Sequence, residues 1–538
     1  MSLSTASTPN PAAQGMPSLH PLHGLHDAAT IRLRCAAILR SVDSGVSPSF
    51  TVDRSKLDAA AERVAALTLR RFPDLHIPYH SRWRHFEAGG VDRKAQLDAA
   101  MAGRSAAEQA RARFDLTVVS VLLDAGAGPT WRYTERQALD SAALPQAAPD
   151  DLLAALDRSA SATRPTLAAA TDAASAAPAA APGDAAGDDA STGGNVGGGP
   201  GGGPDGGLGW NAGGAADNAA DGGIYTRSEG LAVASFRAFM AGAFSSRTGE
   251  PWRADAAALR HVDAAALRAM FQGSNNNPIV GLEGRAALLS RLGSALQAEA
   301  LRSGHEARPS LIFERLTANG ARRQVSASDL LAEVLRCLAP IWPSGSKVQG
   351  LPAGDVWPHR WAGAAVGGGG GATTDNSGGT GGTGGSNIIS NSGGHSNRTS
   401  EGWVPFHKLS QWMSYSLLEP LQWAGVQVTG LDALTGLPEY RNGGLLIDTG
   451  VIVPRDPRLL GRTWKPQDEF IIEWRALTVA LLDELADRVR ARLGKTAAEL
   501  PLACILEGGT WAAGREIAKE LRPDGAPPVR IDSDGTIF

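Results

Sequence analysis

EFIIEWRALTVALLDEL, residues 469–485, sets the fold class of this chain. Its apolar residues recur at three and four, as in Leu477, Ala480 and Leu481. That spacing predicts a helix rather than a strand. Similar stretches fill most of the remaining sequence. IRLRCAAILRSVDSG (31–45) and KLDAAAERVAALTLRRF (56–72) predict two more helices, the second capped by Asp53 or Ser55. A third is expected over Arg93–Met101. RARFDLTVVSVLLDAGAGPTW (111–131) has an apolar run open to either reading, but its length and closing glycines favour helix. ERQALDSAALP (135–145) predicts a short helix, and TRSEGLAVASFRAFMAGAFSS (226–246) a longer one with Ser228 near its cap. Helical periodicity continues through residues 255–300 and 326–345. Strand candidates are few: Val426–Val428, Gly444–Val453 and the tail PPVRIDSDGTIF (527–538). The fold class is therefore mainly α, a large helical fold with a few short β-strands.

Two stretches cannot build a core. One runs from 157 to 222 and includes STGGNVGGGPGGGPDGGLGWNAGGAADNAADGG; the other runs from 364 to 400. Glycine loses the most backbone entropy on ordering and has no side chain to bury. Both are expected to be disordered or flexible inserts, and neither has the strand-loop-helix setting of a nucleotide-binding loop. The remaining chain divides into a leader (1–27), an N-terminal helical part (28–156), a central helical part (223–363) and a C-terminal part (401–538) of the same domain. Loop closure costs little extra per added residue, so the flanks of each insert can stay neighbours.

A net charge of -4 excludes the concentrated basic face of a nucleic-acid binder. Short arginine clusters, SRWRHF (81–86) and TLRRF (68–72), read as solvated helix faces. Three separated cysteines in apolar settings, Cys35, Cys337 and Cys504, read as reduced buried thiols in a cytoplasmic protein. The first residues lack a secretory core, and no apolar run is long enough for a membrane span. No metal or cofactor motif is present: HExxH is missing, and Pro78 interrupts the His76/His80 pair.

Candidate chemistry gathers toward the C-terminus. Glu473 lies among Phe470, Ile471, Ile472 and Trp474, where partial burial would tune an acid or base. In YRNGGLLIDTG (440–450) the Asn-Gly-Gly reads as a turn. It is flanked by Glu439 and Arg441, and Asp448 reads either as closing a short strand at a pocket mouth or as capping a turn. DVWPHR (355–360) pairs Asp355 with Trp357, a carboxylate beside a stacking ring. WVPFHKLSQW (403–412) supplies His407, Lys408 and Gln411, the lysine suited to a phosphate. LEGGTWAAGREIA (506–518) offers Glu507, Trp511 and Arg515, and its two glycines read as freeing amides at a helix start for an anion.

Seven blocks together resemble the uracil-catabolism proteins of fungi and bacteria, long catalogued as a domain of unknown function. They are RFPDLHIPYHSRWRHFEAGG (71–90), FDLTVVSVLLDAGAGPTWRY (114–133), YTRSEGLAVASFRAF (225–239), NPIVGLEGRAALLSRLG (277–293), WVPFHKLSQWMSYSLLEPLQWAG (403–425), GLPEYRNGGLLIDTG (436–450) and the tail from Leu506. The resemblance implies a uracil breakdown route that opens the ring at the nucleotide level and releases urea. It implies hydrolysis of the N-glycosidic bond of a ribosylurea-type, phosphorylated intermediate, a small nucleotide-derived substrate. Asp448, Glu473 and Asp355 are then the catalytic candidates. Lys408 and Arg515 become phosphate ligands, and Trp357 or Trp511 the cover for the ureido group. The family is also similar, more distantly, to queuosine-salvage N-glycosylases, helical proteins related in fold to DNA glycosylases. The alternatives are a non-catalytic scaffold or regulatory partner of other uracil-pathway enzymes, and an amidohydrolase acting on a ureido intermediate.

Overall fold

The computed structural model describes residues 22–124, 126–128, 130–135, 223–342, 346–363 and 402–532. Nine helices position the site: α1 (Ala28–Asp43), α2 (Leu57–Arg71), α3 (Arg82–Phe86), α4 (Ala106–Leu122), α5 (Arg227–Met240), α6 (Lys408–Trp423), α7 (Tyr440–Asp448), α8 (Glu469–Leu493) and α9 (Trp511–Leu521). The fold is mainly α-helical. The described strands are two or three residues long and form only two-stranded ladders.

Helix α8 contains the opening stretch and ends at Gly494, whose φ of 63° is the left-handed value glycine tolerates best. From Phe470 to Val479 every residue is buried, so this half is enclosed on all sides. Helices α1 and α2 pack on it. Helix α4 begins at a capping box, with Ser105 and Glu108 satisfying each other's amides. It is buried almost continuously from Ala110 and packs on α5 and α6.

The chain on either side of each insert is paired. Arg132–Thr134 pairs antiparallel with Ile224–Thr226, and Val356–Pro358 with Trp403–Pro405. The inserts themselves, and all but the first residue of the helix expected over 135–145, lie outside the described residues. Within the leader, residues 22–27 are ordered. Leu22 and Leu25 are buried against Val348, Ala353 and Val356. Too few apolar residues surround them in sequence to signal this.

Two local readings are corrected. Gly444–Val453 is not a strand: residues 440–448 are helical, and only Ile452–Pro454 is extended. The Glu439 carboxylate accepts the amides of Arg441 and Asn442, capping the first turn and making Asn-Gly-Gly helical. Gly443 stands there because an added Cβ would lie 2.7 Å from the Trp474 ring. Similarly, Gly508 and Gly509 do not open a helix. They lie in a π-helical turn, Leu506–Thr510, that joins Leu502–Ile505 to α9, and Gly509 packs on Val64 and Thr68. Their amides are therefore inside a helical run and not at its start. The helix after the first insert begins at Arg227, one residue before Ser228.

Candidate functional site

Asp124 stands two residues beyond the end of α4 and is buried. The turn after it is tied down by Arg285, which donates to the carbonyls of Leu123 at 3.0 Å and Gly126 at 3.1 Å. Arg82, wholly buried on α3, brings Nη1 to 2.8 Å from Asp124 Oδ1. Two other helices, α4 and α6, hold that arginine. Its Nε donates to Ser120 Oγ at 2.7 Å, its backbone amide to Ser416 Oγ, and its guanidinium lies 5.9 Å from the Trp412 ring. A buried charge this firmly held presents its partner in a fixed orientation.

Two more groups, Glu229 and Lys408, face Asp124, and Glu439 faces Lys408 in turn. Glu229, in the first turn of α5, is pushed up to about 8 by burial, with Asp124 adding to the rise and Arg515 and Arg82 opposing it. Lys408, the first residue of α6, is pulled down to about 8 by burial, with Glu439, Asp124 and Asp355 opposing. Glu439 is raised by burial despite the amides it caps. Four helix ends and α3 thus converge on one buried cluster whose acid and ammonium both titrate near neutrality. Such clusters mark sites of proton transfer more often than structural ion pairs do.

The predicted residues divide. Lys408, Glu439 and Arg515 belong to this cluster. Asp355 adjoins it: its carboxylate accepts the Lys408 amide at 3.1 Å, Trp357 Nε1 at 2.7 Å and two nitrogens of Arg475 at 2.7 and 2.8 Å. Burial pushes Asp355 up, but Arg475 outweighs it and holds the carboxyl below its usual range. His407 Nε2 donates to the Leu25 carbonyl, 2.9 Å away. Gln411 pairs with Thr435 through both amide atoms. Arg441 reaches the Gly525 carbonyl at 2.9 Å. Glu507 is buried against His80 at 2.9 Å and Arg71 at 3.1 Å. Asp448 closes α7 and pairs with Arg522 at 2.9 Å. Glu473 accepts Ser47 on the opposite side of α8 from Arg475. Asp355, Asp448, Glu473 and Arg515 therefore have four separate sets of partners.

Arg82, Asp124 and Glu229 were not singled out from the sequence. SRWRHF reads as a solvated face, yet Arg82 is fully buried because Asp124 compensates its charge. The available signal was the aspartate closing the apolar run LTVVSVLLD, an expensive place for a carboxylate. A separate hollow of 310 Å³, lined by Trp83, Phe86, Glu87, Lys94 and Trp423 among others, is less suited to chemistry. Its Glu87 is engaged by Arg84 and its Lys94 by Asp98. Among the described residues no group of three or more His, Cys, Asp or Glu is arranged for a metal ion, and no helix is long and apolar enough to cross a membrane.

Glu473 yields a pH prediction. Its Oε2 has no partner among the described residues, and burial pushes its carboxyl up from 4.5 to about 7. Folding favours the protonated form, so this group's contribution is complete below 4.5 and disappears as pH rises through 7. Glu473→Gln should make the protein about 3 kcal/mol more stable than wild type at pH 8.5, with little difference at pH 4.5. Urea denaturation at both pH values measures this, and a pH-independent difference refutes it.

The family profile described as Protein of unknown function (DUF1688) matches residues 24–144 and 210–538. The chain belongs to this family. It is 32% identical to Protein urg3 of Schizosaccharomyces pombe, over 94% of this chain and 96% of that protein. It is 29% identical to Uracil catabolism protein 4 of Lachancea kluyveri, over 92% and 93% respectively. Members of this uracil-catabolism family thus align along nearly their whole length, and the cluster residues Arg82, Asp124, Glu229, Lys408, Glu439 and Arg515 all fall inside the matched segments.

Proposed function

We propose that this chain hydrolyses the N-glycosidic bond of a phosphorylated ribosylurea, releasing urea. The bond from the anomeric carbon to nitrogen breaks, its electron pair leaves with nitrogen, and water oxygen bonds to the carbon. The leaving nitrogen gains a proton and the attacking water loses one. The transition state carries positive charge on the sugar, so it needs a fixed carboxylate nearby and a neutral acid at the leaving group. Asp124, oriented by Arg82, takes the first role in this reading. Glu229 takes the second, since an acid titrating at about 8 remains protonated at neutral pH. Lys408 and Arg515 hold the phosphate. Asp355 serves by fixing the first turn of α6 rather than by touching substrate, and Asp448 and Glu473 serve the packing of α7 and α8.

The observation that carries this reading is the cluster itself: a buried Arg82–Asp124 pair at 2.8 Å with buried Glu229 and Lys408 gathered about the aspartate. The name of the Lachancea kluyveri relative, Uracil catabolism protein 4, supports the substrate class. Purified chain incubated alone with ribosylurea or its 5-phosphate should release urea and the free sugar. Asp124→Asn and Glu229→Gln should each lower kcat by roughly 10²- to 10⁴-fold with the fold intact by circular dichroism. Asp448→Asn should stay within a few-fold of wild type. Release of ammonia instead of urea would favour the amidohydrolase. No turnover without a second pathway protein would favour the scaffold.

A further inference from the structure

Three buried polar atoms near this cluster lack any partner among the described residues: Trp511 Nε1, Thr510 Oγ1 and Asn442 Oδ1. Their residues are 2%, 1% and 1% exposed. Buried donors and acceptors are nearly always satisfied, so three orphans in one neighbourhood call for an explanation. Their placement follows from how α7 and α9 run side by side. Gly514 abuts the Arg441 carbonyl at one level, and Arg522 meets Asp448 at the other. Trp511 lies one turn before Gly514, and Asn442 directly follows Arg441. Both therefore sit toward the N-terminal ends of the two helices. On one side of them is Glu439, which caps Asn442 and faces Lys408. On the other is Arg515, four residues after Trp511 on the same face, opposite Glu229.

The Asn442 side chain is oriented by its own donor. Its Nδ2 gives a hydrogen bond to the Leu437 carbonyl at 3.1 Å, which leaves Oδ1 as the atom that waits for a partner. The orphan set is therefore one fixed acceptor, one fixed donor and one hydroxyl able to serve either way. A phosphate would offer the acceptor nothing, and an ammonium would offer the indole nothing. The complement is an unsubstituted amide edge, which presents a carbonyl and an N–H together.

We propose that Trp511 and Asn442 are the specificity-determining pair of this site. The indole Nε1–H donates to the carbonyl of a terminal carboxamide or ureido group, and Asn442 Oδ1 accepts from its NH₂. This rests on the reading of the cluster as a site for a urea-bearing substrate, but it concerns recognition and not bond cleavage. Its test is therefore equilibrium binding. Dissociation constants for N-ribosylurea and N-ribosylacetamide, in which a methyl replaces the terminal NH₂, are measured by calorimetry on the full chain, every protein compared (wild type at Trp511 and Asn442 included) carrying Glu229→Gln so that the urea is not consumed during the titration.

Wild type should prefer the urea by roughly 10- to 100-fold, because the methyl leaves a buried acceptor unpaired. Asn442→Leu should abolish that preference. Trp511→Phe, which keeps a ring but removes the N–H, should weaken both ligands roughly 10-fold while the preference survives. Equal affinity of wild type for the two ligands overturns the proposal, as does an unchanged preference in Asn442→Leu. If Asn442→Leu does not fold, unaltered affinity in Trp511→Phe is sufficient to overturn it. Absence of turnover in wild type with the binding preference intact would instead remove the hydrolytic reading and leave this one standing.

Discussion

Gly514→Ala should destabilise the chain by at least about 4 kcal/mol, beyond the usual range for adding one methyl group. A Cβ built at this glycine lies 2.1 Å from the carbonyl oxygen of Arg441 and 2.8 Å from its carbonyl carbon. Those atoms are backbone in the first turn of α7, so no rotamer change relieves the overlap. Helices α7 and α9 must separate, and their contact is the most extensive between any two elements. Separation also pulls on the Asp448–Arg522 pair and on the Trp474 ring seated against Gly443. The same two helices carry Glu439, Trp511 and Arg515, so binding should fail together with stability. Gly284 is the control. It lies in the helix Leu282–Ser303, and an added Cβ meets nothing within 4 Å. Gly284→Ala should be neutral or stabilise by up to about 1 kcal/mol, since alanine is the better helix former. Urea midpoints of the two variants decide the matter. A Gly514→Ala protein within 1 kcal/mol of wild type, taken as roughly the ordinary error of such comparisons, would show that α7 and α9 are not in this contact.

The two glycine substitutions also show where sequence reading succeeds and where it stops. Helical periodicity survives in the sequence because it is local: residues three and four apart share a face whatever the rest of the chain does. This is why a helix was legible over 469–485 and in the apolar run after Arg111, and why the glycine-rich inserts stood out. The role of an individual glycine is not local. Gly443 reads as a turn residue and Gly508 as part of a helix start, yet each, like Gly514, packs against a partner at least 30 positions away in sequence, as with Trp474 against Gly443. The same limit hid the centre of the site. Arg82 and Asp124 neutralise each other across 42 positions, and Glu229 joins them from beyond the first insert. Nothing adjacent to Arg82 distinguishes a buried guanidinium from a solvated one. Lys408, Glu439 and Arg515 were named because they sit in aromatic, capped segments. Asp448 and Glu473 sit in segments that look the same, and only their partners separate the two groups. Asp448 has Arg522, and Glu473 has Ser47.

Asp115→Ala should cost about 4 to 5 kcal/mol, the upper range for removing one partner of a buried charge network. The residue is fully buried in the middle of α4, an unfavourable place for an aspartate unless its lone pairs are used. All are used here. One oxygen accepts the Ser310 amide at 2.8 Å. The other accepts the Ala254 amide at 3.0 Å and two nitrogens of Arg308, at 2.9 and 2.7 Å. A single carboxylate thus ties α4 to the two segments that lead into the helices Ala256–Leu259 and Leu311–Leu316. Alanine would leave two amides without their acceptor and the buried Arg308 guanidinium with only its 3.4 Å contact to Glu306, and each group left short retains its desolvation cost. Asp115→Asn keeps the shape and one acceptor but loses the charge, so about half of the penalty should remain. Asp456→Ala is the contrast. Its partner Arg458 is 90% exposed, so the loss should be small beside that of Asp115→Ala. Amide exchange locates the effect: in Asp115→Asn, protection at Ala254 and Ser310 should fall before protection in α8 does. Equal loss across the chain would mean that Asp115 contributes only to global stability. An Asp115→Ala protein as stable as wild type would mean that the network around Arg308 is not formed. Because α4 also delivers Asp124, nine residues further on, the variant should lose binding only in proportion to its unfolded fraction. Binding lost well below the melting transition would show instead that this buried tie sets the position of the Asp124 carboxylate.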